Sequence, residues 1–499
     1  MIASLQGSII IESGKESNRC LLKFHPFKGA RMMGNESLFR DKPVWKAIFS
    51  LAVPSVLTIL IMVLYNMADM FFIGMLGDDT QVAAIAVVGP VFSLATAVAT
   101  MLGAGGCAVI ARLLGAGERE DARTVGSLCI WGAILFGFLF TVFMLLGTGP
   151  ILRFLGATED MMGFAAAYMR TLAVGSCLML FSVTMGSVVR AEGMILPGML
   201  SNMAGTVTNI VLDPVFILVL NMGVVGAAAA TVIGNLVASS LLVFFIRRKS
   251  TVLTFSPKPA LRKPKLFFHT AAVGLPNGIS SVLSGFASTF SNKILSAYGS
   301  GVIAAMAAAG RATMVITMIQ MGICIGVSPL LAYNYGAKNL PRLKEILVKT
   351  AALTIGFGLT AAVGCFVGRS ALIGLFLKDS ANAQIGKQMM FWLLIASPLL
   401  GFYYLSSNFL QAAGSALLAT VLSVLRQGAL LIPCLYLMHA LLGLTGVAAA
   451  HTVSDITSVM IAVILMRIQY GRLKCVSPGC SPEAVSLTGI QSPTDTDIQ

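Results

Sequence analysis

LAVPSVLTILIMVLYNMADMFFIG, residues 51–74, settles the class of this protein. The stretch carries one charge, Asp69, and a helix over it is about 36 Å long, enough to cross the roughly 30 Å of hydrocarbon in a bilayer. Uncharged runs as long recur along the chain, at 80–111, 124–152, 193–212 and 388–425. Divided at Gly, Pro and polar breaks, the apolar segments give about twelve helices. They lie near 45–76, 81–111, 124–147, 161–187, 197–221, 224–246, 266–298, 302–333, 347–367, 388–411, 416–440 and 443–467.

Composition agrees. Of 499 residues, 57% are hydrophobic and 11% charged, against roughly 25% charged in soluble domains. A membrane barrel needs short segments of alternating polarity, which this chain lacks, so an all-α polytopic membrane protein is expected. The net charge of +14 is spread as topology signals and forms no nucleic-acid patch. Arg40 and Lys42 precede the first span, Arg247, Arg248, Lys249, Arg262, Lys263 and Lys265 separate spans six and seven, and Arg467, Arg472 and Lys474 follow the last. Twelve crossings put all three groups on one side, which the positive-inside rule makes cytoplasmic, with both termini. Residues 1–42 lack the apolar core of an export signal, and Met33 is an alternative start.

The chain repeats itself. LLGAGEREDAR at 113–123 aligns with NYGAKNLPRLK at 334–344, and Pro54, Gly193 and Gly226 match Pro276, Gly414 and Gly446 at offsets of 220 to 222. Halves of six helices share one orientation and are related by a pseudo-two-fold along the membrane normal. The expected organisation is a disordered cytoplasmic segment 1–42, an N-lobe 43–247, a basic linker 248–264, a C-lobe 265–468 and a disordered tail 469–499. The two lobes would enclose a central cavity.

Charges inside the spans are the functional candidates, because a carboxylate in hydrocarbon costs about 2.5–3.5 kcal/mol on insertion scales. Asp69 lies eight residues before Gly77 and Asp213 eight before Asn221, at matching depths in helices that run the same way. Asn209 and Asp213 share a helix face at i, i+4, and Thr231 falls at similar depth in the next helix. Together Asp69, Asn209, Asp213 and Thr231 offer hard oxygen ligands for Na⁺ or a site for a proton, since two close carboxylates do not both ionise cheaply in a low dielectric. Pro54 removes a backbone hydrogen bond from the Asp69 helix and is the candidate hinge. Tyr65 and Asn66 are candidate neighbours.

The second half does not repeat the acids. Ser291 stands at the Asp69 position, Pro433 near that of Asp213 and His451 at that of Thr231, while Asn292, Lys293, Arg311, Arg426 and Asp455 are polar candidates in or near its spans. Lys293 is expected to snorkel to the interface, Arg426 and Arg311 to pair with Asp455 or helix carbonyls, and Arg170 to partner the first-lobe acids or anchor the interface. GAGGCA at 103–108 satisfies GxGxxA but lies inside an apolar helix, so it reads as close helix packing. No Walker, HExxH or GxSxG sequence occurs; the chain reads as neither an ATPase nor an enzyme, and no cofactor is expected.

Five stretches together resemble the multidrug and toxic compound extrusion (MATE) family over about 38–468. They are 51–74, VVRAEG at 188–193, NIVLDPVFI at 209–217, GVVGAAAAT at 223–231 and GVSPLLAYNYGAKN at 326–339. The resemblance implies two six-helix lobes around a cavity, export of lipophilic and often cationic drugs across the plasma membrane in exchange for H⁺ or Na⁺, and a first-lobe cation site at Asp69, Asn209, Asp213 and Thr231. A monomer is expected because one chain already contains both lobes. Ser291 departs from relatives that use second-lobe acids. The alternative is a flippase for a lipid-linked oligosaccharide or cell-wall precursor, which would use Lys293, Arg311 and Arg426.

Overall fold

Helix ends follow the polar and glycine breaks. The computed structural model describes residues 36–75, 79–374, 377 and 380–476. Its first lobe contains α1 (Val44–Gly74), α2 (Asp79–Ala116), α3 (Arg119–Phe154), α4 (Glu159–Val188), α5 (Ile195–Pro214, prolonged by a π turn Val215–Val219) and α6 (Gly223–Lys249). The second contains α7 (Lys265–Ser296), α8 (Ser300–Gly336), α9 (Leu340–Val367) and α10 (Ser380–Ala412). It is completed by α11 (Ala416–Val424, a π turn Leu425–Ala429, then Leu431–Leu442) and α12 (Gly446–Val476).

Eleven stretches are long and apolar enough to cross a membrane, and the last, Ala416–Leu473, runs for 58 residues. A helix of that length would extend about 87 Å, far beyond any bilayer. It breaks at Gly443, whose φ of 59° lies in the left-handed region. The break yields α11 and α12, and with them twelve crossings. No strand occurs among the described residues.

Two boundaries differ from expectation. Residues Glu36–Arg40 form a helical turn that buries Leu38 and Phe39, because Asn334 and Arg342 of the second lobe both donate to the Phe39 carbonyl, at 3.3 and 2.9 Å. At the other end α12 continues past 468 to Val476 and buries Leu473. The remainder of the expected terminal segments lies outside the described residues.

The linker is built onto the first lobe. The buried carboxylate of Glu192 accepts from Ser250 Oγ (2.7 Å), Thr251 N (3.2 Å) and Leu253 N (2.9 Å). Ser127 Oγ and Trp131 Nε1 on α3 donate to the carbonyls of Ser256 and Phe255, and Lys263 pairs with Asp121 at 2.8 Å.

The lobes meet along α1, α2, α7 and α8, chiefly at the basic end of the bundle, and the contacts repeat the duplication. A Cβ at Gly115 on α2 would strike the Tyr333 carbonyl, and one at Gly336 on α8 would strike the Arg112 carbonyl. Gly115 and Gly336 are 221 positions apart, as are Arg112 and Tyr333, so each contact is the image of the other. Gly105 and Gly274 bring α2 onto α7 in the same way, against the Thr270 and Met101 carbonyls. Without a hydrophobic drive between helices in lipid, such close approach supplies the packing energy.

Farther along the same helices the lobes part. Gly278 on α7 still faces Ala97 on α2. One turn on, a space of about 370 Å³ opens, lined by Gly89, Phe92, Ser93, Thr96 and Ala97 of α2 and by Ser281 of α7. This is the cleft between the lobes. Its lining residues lie on the stretches of α2 and α7 that are farther from the basic linker.

Candidate functional site

In the first lobe, α1, α4, α5 and α6 converge on a polar cluster. Asn209 and Asp213 are 3% and 0% exposed on the α5 face packed against α6. The Asn209 amide spans Asp213 and Thr231: turned to its most satisfied orientation, its nitrogen lies 3.1 Å from Asp213 Oδ2 and its oxygen 2.9 Å from the Thr231 N–H. Thr231 Oγ1 donates to the Ala227 carbonyl at 3.0 Å. From α1, Tyr65 reaches Thr231 and lies beside both Asp69 and Asp213.

Asp69 is partly buried, and its Oδ1 has no hydrogen-bond partner among the described residues. No described ion pair involves Asp69 or Asp213. Two carboxylates thus sit together in the membrane with no fixed cation beside them among the described residues, and a proton or small cation is the group that would balance them.

Local backbone chemistry explains why Asp213 is placed so well. Pro214 has no N–H to give, and the helix widens into the π turn that follows it; such turns concentrate at functional sites. The tight corner beyond uses left-handed Asn221 and Gly223, with φ of 52° and 56°. Gln81 Oε1 on α2 accepts from Val224 N at 3.2 Å, pinning the start of α6.

Three contributors escaped the sequence reading. Tyr168 on α4 lies near Asp69, Tyr65 and Asp213. Asn235 donates to the Thr231 carbonyl at 3.0 Å, one turn deeper on α6, and Ser182 on α4 donates to Asn235 Oδ1 at 2.9 Å. The i, i+4 spacing of Thr231 and Asn235 was a readable signal. Nothing local marks Tyr168 or Ser182, because their helix reaches the cluster only through packing.

The second-lobe counterpart is neutralised internally. Arg426 Nε, in the π turn of α11, binds Asp455 Oδ1 of α12 at 2.7 Å, with the side chains 12% and 18% exposed. The guanidinium stands 4.6 Å over the Tyr403 ring and 5.4 Å over that of Tyr404. Ser291 and His451, at the Asp69 and Thr231 positions, form their own contact, Oγ to Nε2 at 3.4 Å.

The remaining candidates fall as follows. Arg311 does not join Asp455; it is exposed on α8 with no hydrogen bond or ion pair to a described residue. Arg170 is exposed on α4 with no hydrogen bond or ion pair to a described residue, which fits the second of its two expected roles, an interface anchor, and not a partner of the acids. Lys293 and Asn292 are exposed near the far end of α7. Pro54 lies inside α1, where that helix packs on α8. The Asn66 side chain lies outside the described residues. Among the described residues no group of His, Cys, Asp and Glu has the form of a metal centre.

The chain matches the MatE family model twice, over residues 54–215 and 276–437, at a spacing of 222 that coincides with the internal repeat. The multidrug export protein MepA of Staphylococcus saprophyticus is 29% identical over 435 residues, covering 87% of this chain and 96% of that protein. MepA of Staphylococcus aureus is 29% identical over 436 residues, with the same coverage. Among solved structures, a MATE transporter in the straight conformation superposes with a TM-score of 0.83 at 25% identity, covering 88% of this chain and 98% of that one. The outward-facing conformation of a multidrug resistance MATE family transporter gives 0.81 at 25% identity, covering 89% and 99%.

Proposed function

Because this chain belongs to the MATE family of multi-pass membrane transporters, we propose that it is a cation-coupled antiporter that exports lipophilic, often cationic, small molecules by alternating access of its two lobes. The observation that carries this reading is the pair Asp69 and Asp213, the first partly and the second fully buried within the first lobe, with no ion pair to either among the described residues. Asp69, Asn209, Asp213 and Thr231 form the coupling site, Pro54 is the hinge, and the coupling ion is H⁺ or Na⁺. The basic end faces the cytoplasm of a cell whose plasma membrane holds the transporter as a monomer. The cleft described above is then the outward-facing one.

The cycle follows from differential affinity. Substrate enters the inward-facing cavity while the carboxylates are ionised; after the switch an outside cation binds them, the lobe relaxes about α1, and the substrate leaves. A potential of 100 mV supplies about 2.3 kcal/mol per charge moved, enough for somewhat more than a tenfold gradient at about 1.4 kcal/mol per decade.

The test is efflux of ethidium from energised cells carrying the intact protein, Asp69→Asn or Asp213→Asn at equal surface expression. Efflux that either substitution abolishes supports the reading, and varying Na⁺ against pH then identifies the ion. Efflux that survives both substitutions overturns the site. The flippase reading gains from one observation, the exposed Arg311 with no partner among the described residues, and would be favoured by complete absence of ethidium export.

A further inference from the structure

A cavity of about 700 Å³ opens at the end of the second lobe opposite the basic linker, apart from both the cleft and the acidic cluster. It is walled by Arg369 of a short helical turn, Arg369–Gly374, that follows α9, by the part of α10 from Gln384 to Trp392, and by Thr445 between α11 and α12. Its polar groups are of one kind. Arg369, Lys387 and the indole N–H of Trp392 only donate hydrogen bonds, and the amides of Gln384 and Gln388 add further donors. No acidic residue is among the described lining. The Lys387 ammonium and the Trp392 indole make no hydrogen bond or ion pair to a described residue. Arg369 is already placed, its Cζ 4.3 Å from the centre of the Phe366 ring at the end of α9.

Topology does not account for these charges, because basic residues serve as topology signals at the cytoplasmic end and these two lie at the other. Nor does the scaffold require them. At the offset of 221, positions 369, 384, 387 and 388 are Thr148, Gly163, Ala166 and Ala167 in the first lobe, where Arg170, at the Phe391 position, is the one charge. The donors therefore answer to something outside the fold. Its shape is written along α10, where the exposed residues Gln384, Gln388, Phe391 and Ile395 form one stripe at spacings of four, three and four. The stripe is polar toward the helix start and turns apolar inward, over about 17 Å. Phe391 lies 5.9 Å from Phe366 and 6.0 Å from Trp392, so an aromatic floor leads from the donors to Ile395. Donors above an apolar track suit an amphiphile lying along the helix, with Trp392 at the level where aromatic belts meet the membrane interface.

We propose that this groove binds an anionic phospholipid, its phosphodiester held by Arg369, Lys387 and the Trp392 indole and an acyl chain lying over Phe391 and Ile395. The guanidinium matches phosphate oxygens with paired N–H groups, and Lys387 brings a second positive charge. A zwitterionic lipid would carry an ammonium toward two cations and no described carboxylate, so phosphatidylglycerol is favoured over phosphatidylcholine. Each basic group near the membrane surface strengthens the hold on an anionic lipid about fivefold, so the two together give a preference of roughly 25-fold. The site stands independently of the antiport reading.

The experiment uses the full chain with Trp45→Phe and Trp131→Phe, which leaves Trp392 as the single indole, in phosphatidylcholine vesicles. A minority of the lipid carries brominated acyl chains, which quench a tryptophan that they touch. Brominated phosphatidylglycerol is expected to quench Trp392 at mole fractions roughly 25-fold lower than brominated phosphatidylcholine does. Arg369→Gln with Lys387→Gln brings the two curves together, whereas Arg369→Lys with Lys387→Arg keeps them apart. Coincident curves in the parent overturn the proposal, and so does a preference that survives the glutamine pair. The parent comparison decides even where the glutamine pair misfolds. Inorganic phosphate at constant ionic strength separates the two sources of the anion: without effect on the preference it supports a lipid, and if it abolishes the preference the site is one for a soluble anion and the lipid assignment falls.

Discussion

The two lobes share one scaffold and have opposite solutions to the same electrostatic problem. In the second, Asp455 is held at 2.7 Å by Arg426, so its charge is balanced for good by the chain itself. In the first, no ion pair to Asp69 or Asp213 occurs among the described residues, and whatever balances them must come and go. A fixed pair buys rigidity, whereas a missing cation leaves a place for one that moves. The duplication supplied two equivalent pockets, and the difference of a few side chains separates a strut from an exchangeable site.

The sharpest way to break this comparison is Asp455→Asn. It strands a mostly buried guanidinium and is expected to destabilise the second lobe by about 3–5 kcal/mol, read as a fall in unfolding temperature in detergent. Replacing both partners with apolar residues should cost much less, and equal losses for the single and double variants would refute the fixed-pair account. Next in size is Gly336→Ala, which forces a Cβ onto the Arg112 carbonyl and should cost about 1–3 kcal/mol. Gly115→Ala should match it by symmetry, both making the basic end more reactive to cysteine reagents. Gly356→Ala, with open space around it, should be neutral or slightly stabilising.

The sign reverses in the first lobe. Asp213→Asn removes an uncompensated charge, and at pH 8 without Na⁺ it should raise stability by about 1–2 kcal/mol while abolishing efflux. A loss of stability would mean that Asp213 has a fixed counter-ion after all. The smallest effect is expected from Thr231→Ala. Losing one hydrogen-bonding hydroxyl costs about 0.5–1.5 kcal/mol and should weaken the apparent affinity for the coupling cation several-fold. His451→Ala, its image in the other lobe, should leave that affinity unchanged.

Much of this was legible in the residues. Hydropathy placed the helices, and the 221-residue offset announced two lobes before any contact was seen. Asp69, Asn209 and Asp213 were visible because a charge inside an apolar run is conspicuous and i, i+4 spacing is a local rule. Tyr168 and Ser182 were not, because a tyrosine or serine in a spanning helix has many uses and only packing brings α4 to α5 and α6. Arg311 was misassigned for a related reason. The sequence gives its depth, but the direction it faces depends on how α8 is rotated against α1, which the glycines at 322 and 326 reveal only once they are seen against Val56 and Ala52. The ends of the chain differed from expectation because Phe39 is held by Asn334 and Arg342, about 300 positions away, and Leu473 joins the same buried core.

The hold of Glu192 on the linker has a consequence for how such a chain is made. Every group that secures residues 250–263, namely Glu192, Ser127, Trp131 and Asp121, belongs to helices synthesised earlier. The linker can therefore dock as soon as it leaves the ribosome, before any of the second lobe exists. Docked, it delivers α7 to the membrane beside α2, where Gly105 awaits Gly274, so the earlier half of the molecule acts as the template on which the later half is assembled.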